Sequence, residues 1–301
     1  MNNTMKAKQF LQLFVPPIYH EVKKKCITKR QPQLIPIPMR ERIGEKMIVI
    51  GNGPSMKNTV EKYLDVLQTT ECMMVNESCM TPIYEAVRPT VYFLVDPVYF
   101  DEENNKHYLQ TRLAVLDALI LKTMWPMSII MPNRARGCYM TEKFKENPNL
   151  TVLYYAENWQ LPQGLTQYEA WDKNLITPPG QTVLNTAVWL SIYWGYKETY
   201  LVGADTSWHA ELKMDQETNI LYTIDTHYYD NKEVYGDFYD EVNMRRPIGT
   251  KLHEELFAEA TALQSYVDLK GYADWKGVKV YNASEFSWID AFERKKLDDL
   301  K

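Results

Sequence analysis

Polar and glycine residues follow four apolar runs of the chain, and these are the residues best suited to bind or transform a ligand. Residues 51–53 (GNG) follow the first run, and Asn76, Asp96 and Asp205 follow three others. Short apolar runs bounded by such residues indicate buried strands. Because the carboxyl ends of parallel strands meet at one edge of a sheet, we expect these side chains to lie close together. The sequence therefore predicts a ligand site at that edge.

The loop after the first run could hold a phosphate group. Gly51 and Gly53 would let a phosphate approach the backbone, and Asn52 adds a polar side chain for a ribose or phosphate. Ser55 could cap the helix that follows, whose free N–H groups would face an anion. The loop lacks the Gly-Lys-Ser/Thr of a Walker A motif, and Met56 replaces the third glycine of a dinucleotide loop. A tight strand-to-helix turn explains it about as well.

A second loop, TPPGQTVLNTA at residues 177–187, could face the same edge. Its prolines hold the backbone before the helix in an extended conformation, and Gly180 allows the chain to turn. Gln181 and Thr182 then begin a helix. Two helix starts at one edge could hold an anionic ligand between them. An ordinary capped helix explains the same residues equally well.

The elements that must position these loops alternate between strands and helices. This alternation predicts an α/β fold, a Rossmann-like, mostly parallel sheet with helices on both faces and a lid insertion. The predicted strands read MIVIG, TECMMVNES, TVYFLVDP, SIIMPN, LTVLYYAEN, ETYLVGAD and VKVYNAS. The predicted helices read SMKNTVEKYLDVLQT, TVLNTAVWLSIYWGY, TKLHEELFAEATALQSYVDLKGYADWKG (one helix or a pair) and a closing FSWIDAFERKKLDDL.

The same pattern divides the chain into four regions. We expect residues 1–45 to form a basic, apolar arm and a proline-rich linker, and residues 46–205 to form the nucleotide-binding domain. Residues 206–250 are polar, aromatic and poor in clear elements, which is typical of a functional lid or acceptor region. Residues 251–301 are expected to complete the core as C-terminal helices and a strand.

Composition narrows the class of protein. The 301 residues are 24% charged with a net charge of −5, as in ordinary globular domains. The four cysteines form no CxxC pair, which is typical of free thiols in a reducing compartment. The sequence has no apolar stretch of about 18 residues and no signal-peptide pattern. We therefore expect a cytoplasmic protein.

The charge is distributed unevenly along the chain. Residues 1–46 carry ten basic side chains against three acidic ones, interleaved with apolar residues. Such an arm could contact an anionic membrane surface, at the inner face of the cell membrane. It could equally be solvated or form a homo-oligomer. A basic arm on an acidic body argues against general nucleic-acid binding.

Two blocks, VIGNGPSMK and GQTVLNTAVWLSIYWGYKETYLVGAD, resemble those of the bacterial lipooligosaccharide sialyltransferases of glycosyltransferase family 42. They are also similar to the central domain of Maf-type flagellin glycosyltransferases. The resemblance covers most of residues 47–292. It implies inverting transfer of sialic acid or a related nonulosonic acid from a CMP-sugar, without a metal ion or other cofactor. The implied acceptor is a cell-surface glycan or its lipid-linked precursor.

The resemblance also implies which residues contact the donor. Asn76 matches a family asparagine at the end of the second strand, whereas Asp96 stands where the family often has asparagine before proline. The small Thr/Ser/Gly pattern of the second loop is changed, which leaves the base open. The residues implied along the phosphate, ribose and base are Gly51, Asn52, Gly53, Ser55, Gly180, Gln181 and Thr182.

Tyrosine hydroxyls from the lid would, by the same resemblance, stabilise the departing phosphate. A hydroxyl donor directed at developing negative charge is suited to this task. Tyr228 and Tyr229 are the main candidates, with Tyr222, Tyr235 and Tyr239 nearby.

The resemblance further implies a histidine that takes the proton from the acceptor hydroxyl. Imidazole suits this task because it titrates near neutrality. His253 precedes the last strand by one helix and fits the position best, ahead of His227 and then His209. Asp205 could orient such a histidine or bind a metal.

Two other functions fit parts of the sequence. The same blocks occur in 6-hydroxymethylpterin diphosphokinase-like domains, and a phosphotransferase of that kind would use ATP and magnesium held by Asp96 and Asp205. A non-catalytic protein that binds a nucleotide or a glycan is the second alternative.

Overall fold

The computed structural model describes residues 35–223, 246–247 and 251–300. Its strands are β1 Lys46–Ile50, β2 Cys72–Val75, β3 Val91–Phe93, β4 Met127–Pro132, β5 Leu150–Tyr155, β6 Glu198–Val202, β7 Leu212–Met214, β8 Leu221–Thr223, β9 Arg246–Pro247, β10 Lys279–Asn282 and β11 Glu293–Arg294. Its helices are α1 Met56–Thr69, α2 Pro82–Val87, α3 Leu109–Lys122, α4 Tyr139–Lys143, α5 Gln167–Asp172, α6 Val183–Tyr193, α7 Trp208–Glu211 and α8 Leu252–Lys276.

The main sheet of the described residues contains eight strands in the order β11-β10-β6-β1-β2-β3-β4-β5. All neighbouring strands pair in parallel. This confirms the predicted Rossmann-like α/β fold. The order runs outward from β1 to β5 and then returns to place β6 on the other side of β1. Open α/β sheets bind ligands beyond the carboxyl ends of the strands at such a switch point.

Alternate residues of β1 supply the two faces of the sheet, as the period of two requires. Met47 and Val49 belong to the apolar core that includes α6 and α8. Ile48 and Ile50 belong to the core that includes α1 and α3. Residues 185–193 of α6 are all buried, because this helix packs against both the sheet and α8. The strand-end residues are thus fixed by packing on both faces.

The proline-rich segment before β1 is attached to the body where it is described. Ile37 is buried, and its N–H donates to Asn174 Oδ1 at 2.8 Å. Arg40 forms an ion pair with the buried Glu71 at 2.9 Å. The rest of the predicted arm, residues 1–34, lies outside the described residues, so its contact with a membrane stays a prediction.

The predicted closing helix, FSWIDAFERKKLDDL, is wrong. The chain there forms β11 and a short 3-10 helix at Leu297–Leu300. Its polar groups bond to other elements: the Trp288 N–H donates to the Asp205 carbonyl at 2.9 Å. The Ile289 carbonyl accepts from Asn282 Nδ2 at 2.9 Å. These long-range bonds replace the bonds within a helix.

The helix predicted as one element or a pair is continuous. α8 spans 25 residues and is followed by Gly277. The φ of this glycine, 71°, is the left-handed conformation that commonly follows a helix. Neither α8 nor another helix of the described ranges is both long and apolar enough to cross a membrane.

The predicted lid contains more regular structure than the sequence indicates. α7 follows β6, and β7, β8 and β9 form a separate antiparallel sheet. Residues 224–245 and 248–250 lie outside the described residues. The roles predicted for His227, Tyr228 and Tyr229 fall in this part of the chain and stay predictions.

Candidate functional site

The ends of β1 and β6 approach each other so closely that both need glycine. The Gly51 N–H donates to the Val202 carbonyl, and the Gly53 N–H donates to the Gly203 carbonyl, each at 2.8 Å. A Cβ atom on Gly51 would lie 2.5 Å from the Gly203 oxygen. Gly203 has a φ of 62°, and its own Cβ would lie 2.6 Å from the Gly51 oxygen. The two turns therefore form one tightly packed unit.

Asp205 fixes the start of α1 to the end of β6. It is 6% exposed, and its carboxylate accepts from the Ser55 N–H at 3.2 Å and from Ser55 Oγ at 2.8 Å. Ser55 occupies the N-cap position of α1, as predicted, but its side chain makes no capping bond, because its hydroxyl donates to Asp205. Burial raises the pKa of Asp205 even though the bonds from Ser55 act to lower it.

Asn76 lies at the end of β2 in a backbone conformation that is uncommon for a residue with a side chain. Its φ is 52°, and its carbonyl accepts from the Tyr92 hydroxyl at 2.5 Å. Its side-chain Oδ1 is buried without a hydrogen-bond partner among the described residues. Backbone strain and unpaired buried acceptors concentrate at functional sites. This oxygen is thus suited to accept from a ligand.

Asn52 connects the ends of β1 and β2. Its Oδ1 accepts from Ser78 Oγ at 2.5 Å, and its Nδ2 donates to the Val75 carbonyl at 3.4 Å. The side chain is therefore held across the two strand ends and orders the rim where they meet.

The start of α6 faces the same edge of the sheet. Thr182 is the N-cap, and its hydroxyl accepts from the Asn185 N–H at 3.3 Å. Asn185 is fully buried and donates from Nδ2 to the Ala262 carbonyl of α8 at 3.4 Å. The second predicted helix start is confirmed, and α8 holds it in position.

These groups surround a cavity of about 130 Å³ at the carboxyl ends of β1, β2 and β6, called here the strand-end pocket. Three lining side chains are carboxylates, and none of the described lining residues is lysine, arginine or histidine. An anionic ligand would have to rely on backbone N–H groups and helix starts. The lining residues are Asn52, Gly53, Pro54, Val75, Asn76, Glu77, Thr182, Val183, Leu184, Gly203, Ala204, Asp205, Thr206, Ser207, Trp208 and Glu211.

A larger cavity, of about 350 Å³, lies along α1 and the ends of β10 and β11. Lys62, Arg294, Lys295 and Lys296 line it. Lys62 pairs with Glu285 at 3.0 Å, and both side chains are well exposed. None of the predicted site residues lines this cavity, so it is not the predicted ligand site.

The structure brings together only part of the predicted donor site. Asn52, Gly53, Asn76, Thr182 and Asp205 line the strand-end pocket. Gly51 and Ser55 do not line the pocket. Their hydrogen bonds to Val202 and Asp205 hold the strand ends that form it.

Besides Gly51 and Ser55, three predicted donor residues are not among the lining residues. Asp96 is exposed, and its carboxylate accepts from the Val98 N–H at 3.0 Å, where it caps a short 3-10 helix. Gly180 and Gln181 are exposed in the loop before α6. His253, predicted as the base, is exposed in the first turn of α8.

His209, the least favoured of the three candidate histidines at the level of sequence, has the most ordered surroundings of those described. Its Nδ1 lies 2.7 Å from Oε1 of Glu259, a buried carboxylate of α8. Its ring meets the Trp288 ring edge to face, with the centroids 4.6 Å apart. Fifty residues separate His209 from Glu259, so sequence spacing gives no signal of this pair.

The described cysteines are poor candidates for nucleophilic catalysis. Cys72, Cys79 and Cys138 are free thiols. Burial raises the pKa of Cys79 to about 12, and it also raises that of Cys72. A thiol must ionise to act as a nucleophile, so these two are inert core residues.

No protein-family model matches the chain, and no curated protein matches it. A solved structure does match. The fold is similar to that of the MAf glycosyltransferase from Magnetospirillum magneticum AMB-1. The TM-score is 0.51 and the identity 13%, over 89% of this chain and 36% of that one. A likeness at this identity concerns the fold alone, and the chain spans little more than a third of the matched protein.

The described residues contain no group of three or more His, Cys, Asp or Glu side chains arranged to hold a metal ion. The carboxylates of the strand-end pocket instead have hydrogen-bond donors beside them. Glu77 accepts from the Tyr99 hydroxyl at 2.6 Å, and Glu211 accepts from Ser207 Oγ at 3.2 Å.

Proposed function

We propose that the chain is a glycosyltransferase that binds a nucleotide-sugar donor in the strand-end pocket. The position of this pocket carries the proposal. It lies at the switch point between β1 and β6, and residues at the starts of α1 and α6 line it. Helix starts and glycine turns at such a point are suited to a phosphate. The likeness of the fold to a glycosyltransferase supports the same reading.

The charge of the pocket favours a donor with one phosphate. Glu77, Asp205 and Glu211 line it without a lysine, arginine or histidine among the described lining residues. Each additional phosphate charge near these carboxylates would be repelled. A CMP-sugar has a single phosphodiester, whereas UDP- and GDP-sugars have two phosphates. We therefore propose CMP-linked sialic acid or a related nonulosonic acid as the donor.

The polar side chains of the pocket suit the neutral parts of that donor. Asn76 Oδ1 and the Asp205 carboxylate are acceptors, and cytidine offers ribose hydroxyls and an exocyclic amine as donors. Asn52 and Thr182 lie on the same lining. The ribose and base would thus contact the strand ends, and the phosphate would contact the helix starts.

The proposed reaction inverts the anomeric centre and needs no metal. The hydroxyl of a cell-surface glycan or its lipid-linked precursor attacks the anomeric carbon while a histidine takes its proton. The nucleotide leaves, and lid hydroxyls such as those of Tyr228 and Tyr229 stabilise its phosphate. The basic arm would keep the protein at the inner face of the membrane.

One observation favours a different function. The three pocket carboxylates are the kind of ligand that magnesium prefers, so an ATP-dependent phosphotransferase would also use this site. Asp96, the second carboxylate expected for that chemistry, does not line the pocket. A nucleotide-binding protein without catalysis would use the same pocket and show no turnover.

A thermal-shift screen of CMP, CDP, UDP, GDP and ATP, each with magnesium or with chelator, separates these functions. A ligand at 100 times its dissociation constant stabilises the folded state by about 2.7 kcal/mol, which is about 5–10 °C for a domain of this size. We expect CMP to give the largest shift and chelator to leave it unchanged. A preference for ATP that requires magnesium would contradict the proposal.

A further inference from the structure

We infer that His209, oriented by Glu259, is the base that takes the proton from the acceptor hydroxyl. This inference rests on the proposed function, and it assigns to His209 the role predicted for His253. The first observation is position. α7 begins three residues after Asp205, and its residues Trp208 and Glu211 line the strand-end pocket. His209 lies between these two lining residues in α7, although it is not itself a lining residue.

The second observation is the carboxylate that fixes the ring. Glu259 is buried in α8, and its Oε1 lies 2.7 Å from His209 Nδ1. Because a carboxylate oxygen is the partner, we assign the ring proton to Nδ1 as the donor of this bond. Nε2 is then the nitrogen with a free lone pair. This is the arrangement by which a carboxylate keeps a histidine in the tautomer that can act as a base.

The third observation is the packing that holds the ring from its other side. The Trp288 ring stands at 84° to the imidazole with the centroids 4.6 Å apart. The Trp288 N–H donates to the Asp205 carbonyl, so this ring is attached to the end of β6. The His209 side chain is still 32% exposed. It is therefore held on two sides and open to a substrate.

The proton transfer balances with these groups alone. The acceptor O–H bond breaks and its proton moves to His209 Nε2, while the oxygen forms a bond to the anomeric carbon. The bond from that carbon to the phosphate oxygen breaks, and its electron pair leaves with the nucleotide. The Nδ1–H bond to Glu259 stabilises the imidazolium that results.

His253 lacks this arrangement. Its side chain is exposed, and the described residues offer it no carboxylate partner of the kind that His209 has. A base of unfixed orientation spends less time in line with the acceptor hydroxyl, which lowers its contribution. We therefore expect little from its replacement.

The test compares His209→Asn, Glu259→Gln and His253→Asn, with His107→Asn as the control at an exposed position. Asparagine can keep a donor toward Glu259 but has no basic nitrogen. The probe is CMP-sialic acid, with CMP release measured both with a labelled lactoside and with water alone as acceptor. Binding of CMP is measured in parallel by thermal shift.

We expect His209→Asn to lower kcat at least about 100-fold, within the usual range for a general base, and to leave CMP binding unchanged. Glu259→Gln should lower kcat about 10-fold or more, with a smaller change in KM. Added imidazole should restore part of the activity of His209→Ala, which a purely structural role would not allow.

Three results would overturn the inference: activity of His209→Asn within about threefold of the wild type, loss of CMP binding in that variant, or a large loss in His253→Asn instead. If His209→Asn does not fold, His209→Gln is measured in its place. Failure of the proposed function looks different, because the wild-type protein itself would then release no CMP.

Discussion

Gly51→Ala is expected to destabilise the protein by about 3 kcal/mol or more, at the upper end of the range for overpacking. The new Cβ would lie 2.5 Å from the Gly203 carbonyl oxygen and 3.0 Å from Leu184 Cδ1. The carbonyl cannot rotate away, because the Gly53 N–H is bonded to it at 2.8 Å. Urea unfolding measures the change, and binding of CMP should fall with it because the pocket is built on the same turn.

Gly44→Ala is the matched control for this variant. A Cβ at Gly44 would meet nothing within 4 Å, so its stability should stay within about 0.5 kcal/mol of the wild type. If Gly51→Ala were as stable as Gly44→Ala, the ends of β1 and β6 would not approach each other as described. The pocket would then not be built on a tightly packed turn.

Asp205→Asn is expected to raise stability at neutral pH while it weakens nucleotide binding. Burial raises the pKa of Asp205, so the folded state binds a proton there more readily than the unfolded chain does. The contribution of this carboxyl group to stability is therefore greatest below about pH 4 and is lost as the pH rises through the folded-state pKa. Asparagine keeps an acceptor for Ser55 without the buried charge, so the variant should gain stability relative to the wild type as the pH rises.

The same change should weaken nucleotide binding at least about tenfold, because a hydrogen bond to a charged group contributes roughly 1.5–3 kcal/mol. Urea unfolding between pH 4 and pH 7.5, together with titration of CMP, measures both effects. Asp117→Asn, at an exposed carboxylate of α3, is the control and should change neither quantity. A variant that is less stable at pH 7.5 than at pH 4, relative to the wild type, would show that Asp205 is a structural residue.

Most of the sheet could be predicted because its central strands, β1, β2 and β3, are buried on both faces. Runs such as MIVI and CMMV have no polar residues, and their spacing leaves room for a helix between them. Gly51 and Gly53 could be identified as special from their position after such a run. The structure adds the reason for Gly51, a second backbone at contact distance, and no local pattern contains that information.

The contacts that the sequence could not reveal join residues far apart in the chain. The sequence predicts that Ser55 caps a helix with its side chain. Its hydroxyl instead donates a hydrogen bond to Asp205, 150 residues later in the chain. The sequence places His209 third among the candidate bases, because only the fold brings Glu259 of α8 beside it. The closing segment has a helical pattern, yet Trp288 bonds to the end of β6. In each case a tertiary contact replaces the local preference.

Two of the five described non-glycine residues with positive φ angles, Asn76 and Thr206, lie at the carboxyl edge of the sheet. Asn76, Gly203 and Thr206 all line the strand-end pocket and all have positive φ angles, of 52°, 62° and 50°. Such an angle is especially unfavourable for a β-branched residue such as threonine. Folded proteins retain strain of this kind mainly where it positions groups for function. The strained backbone at Thr206 supports the pocket, rather than the larger basic cavity along α1, as the site of the proposed reaction.

Titration of CMP into the wild-type protein, Asn76→Gly and Arg88→Gly tests the central claim most directly. Glycine keeps the positive φ at Asn76 and removes the side chain that carries the unpaired Oδ1. Arg88→Gly makes the same backbone change at an exposed residue with a φ of 55° at the end of α2. The account predicts that CMP binds the wild type and Arg88→Gly equally and binds Asn76→Gly at least about tenfold more weakly, as expected for one lost hydrogen bond. Equal binding to all three proteins, or no binding to the wild type, would contradict it.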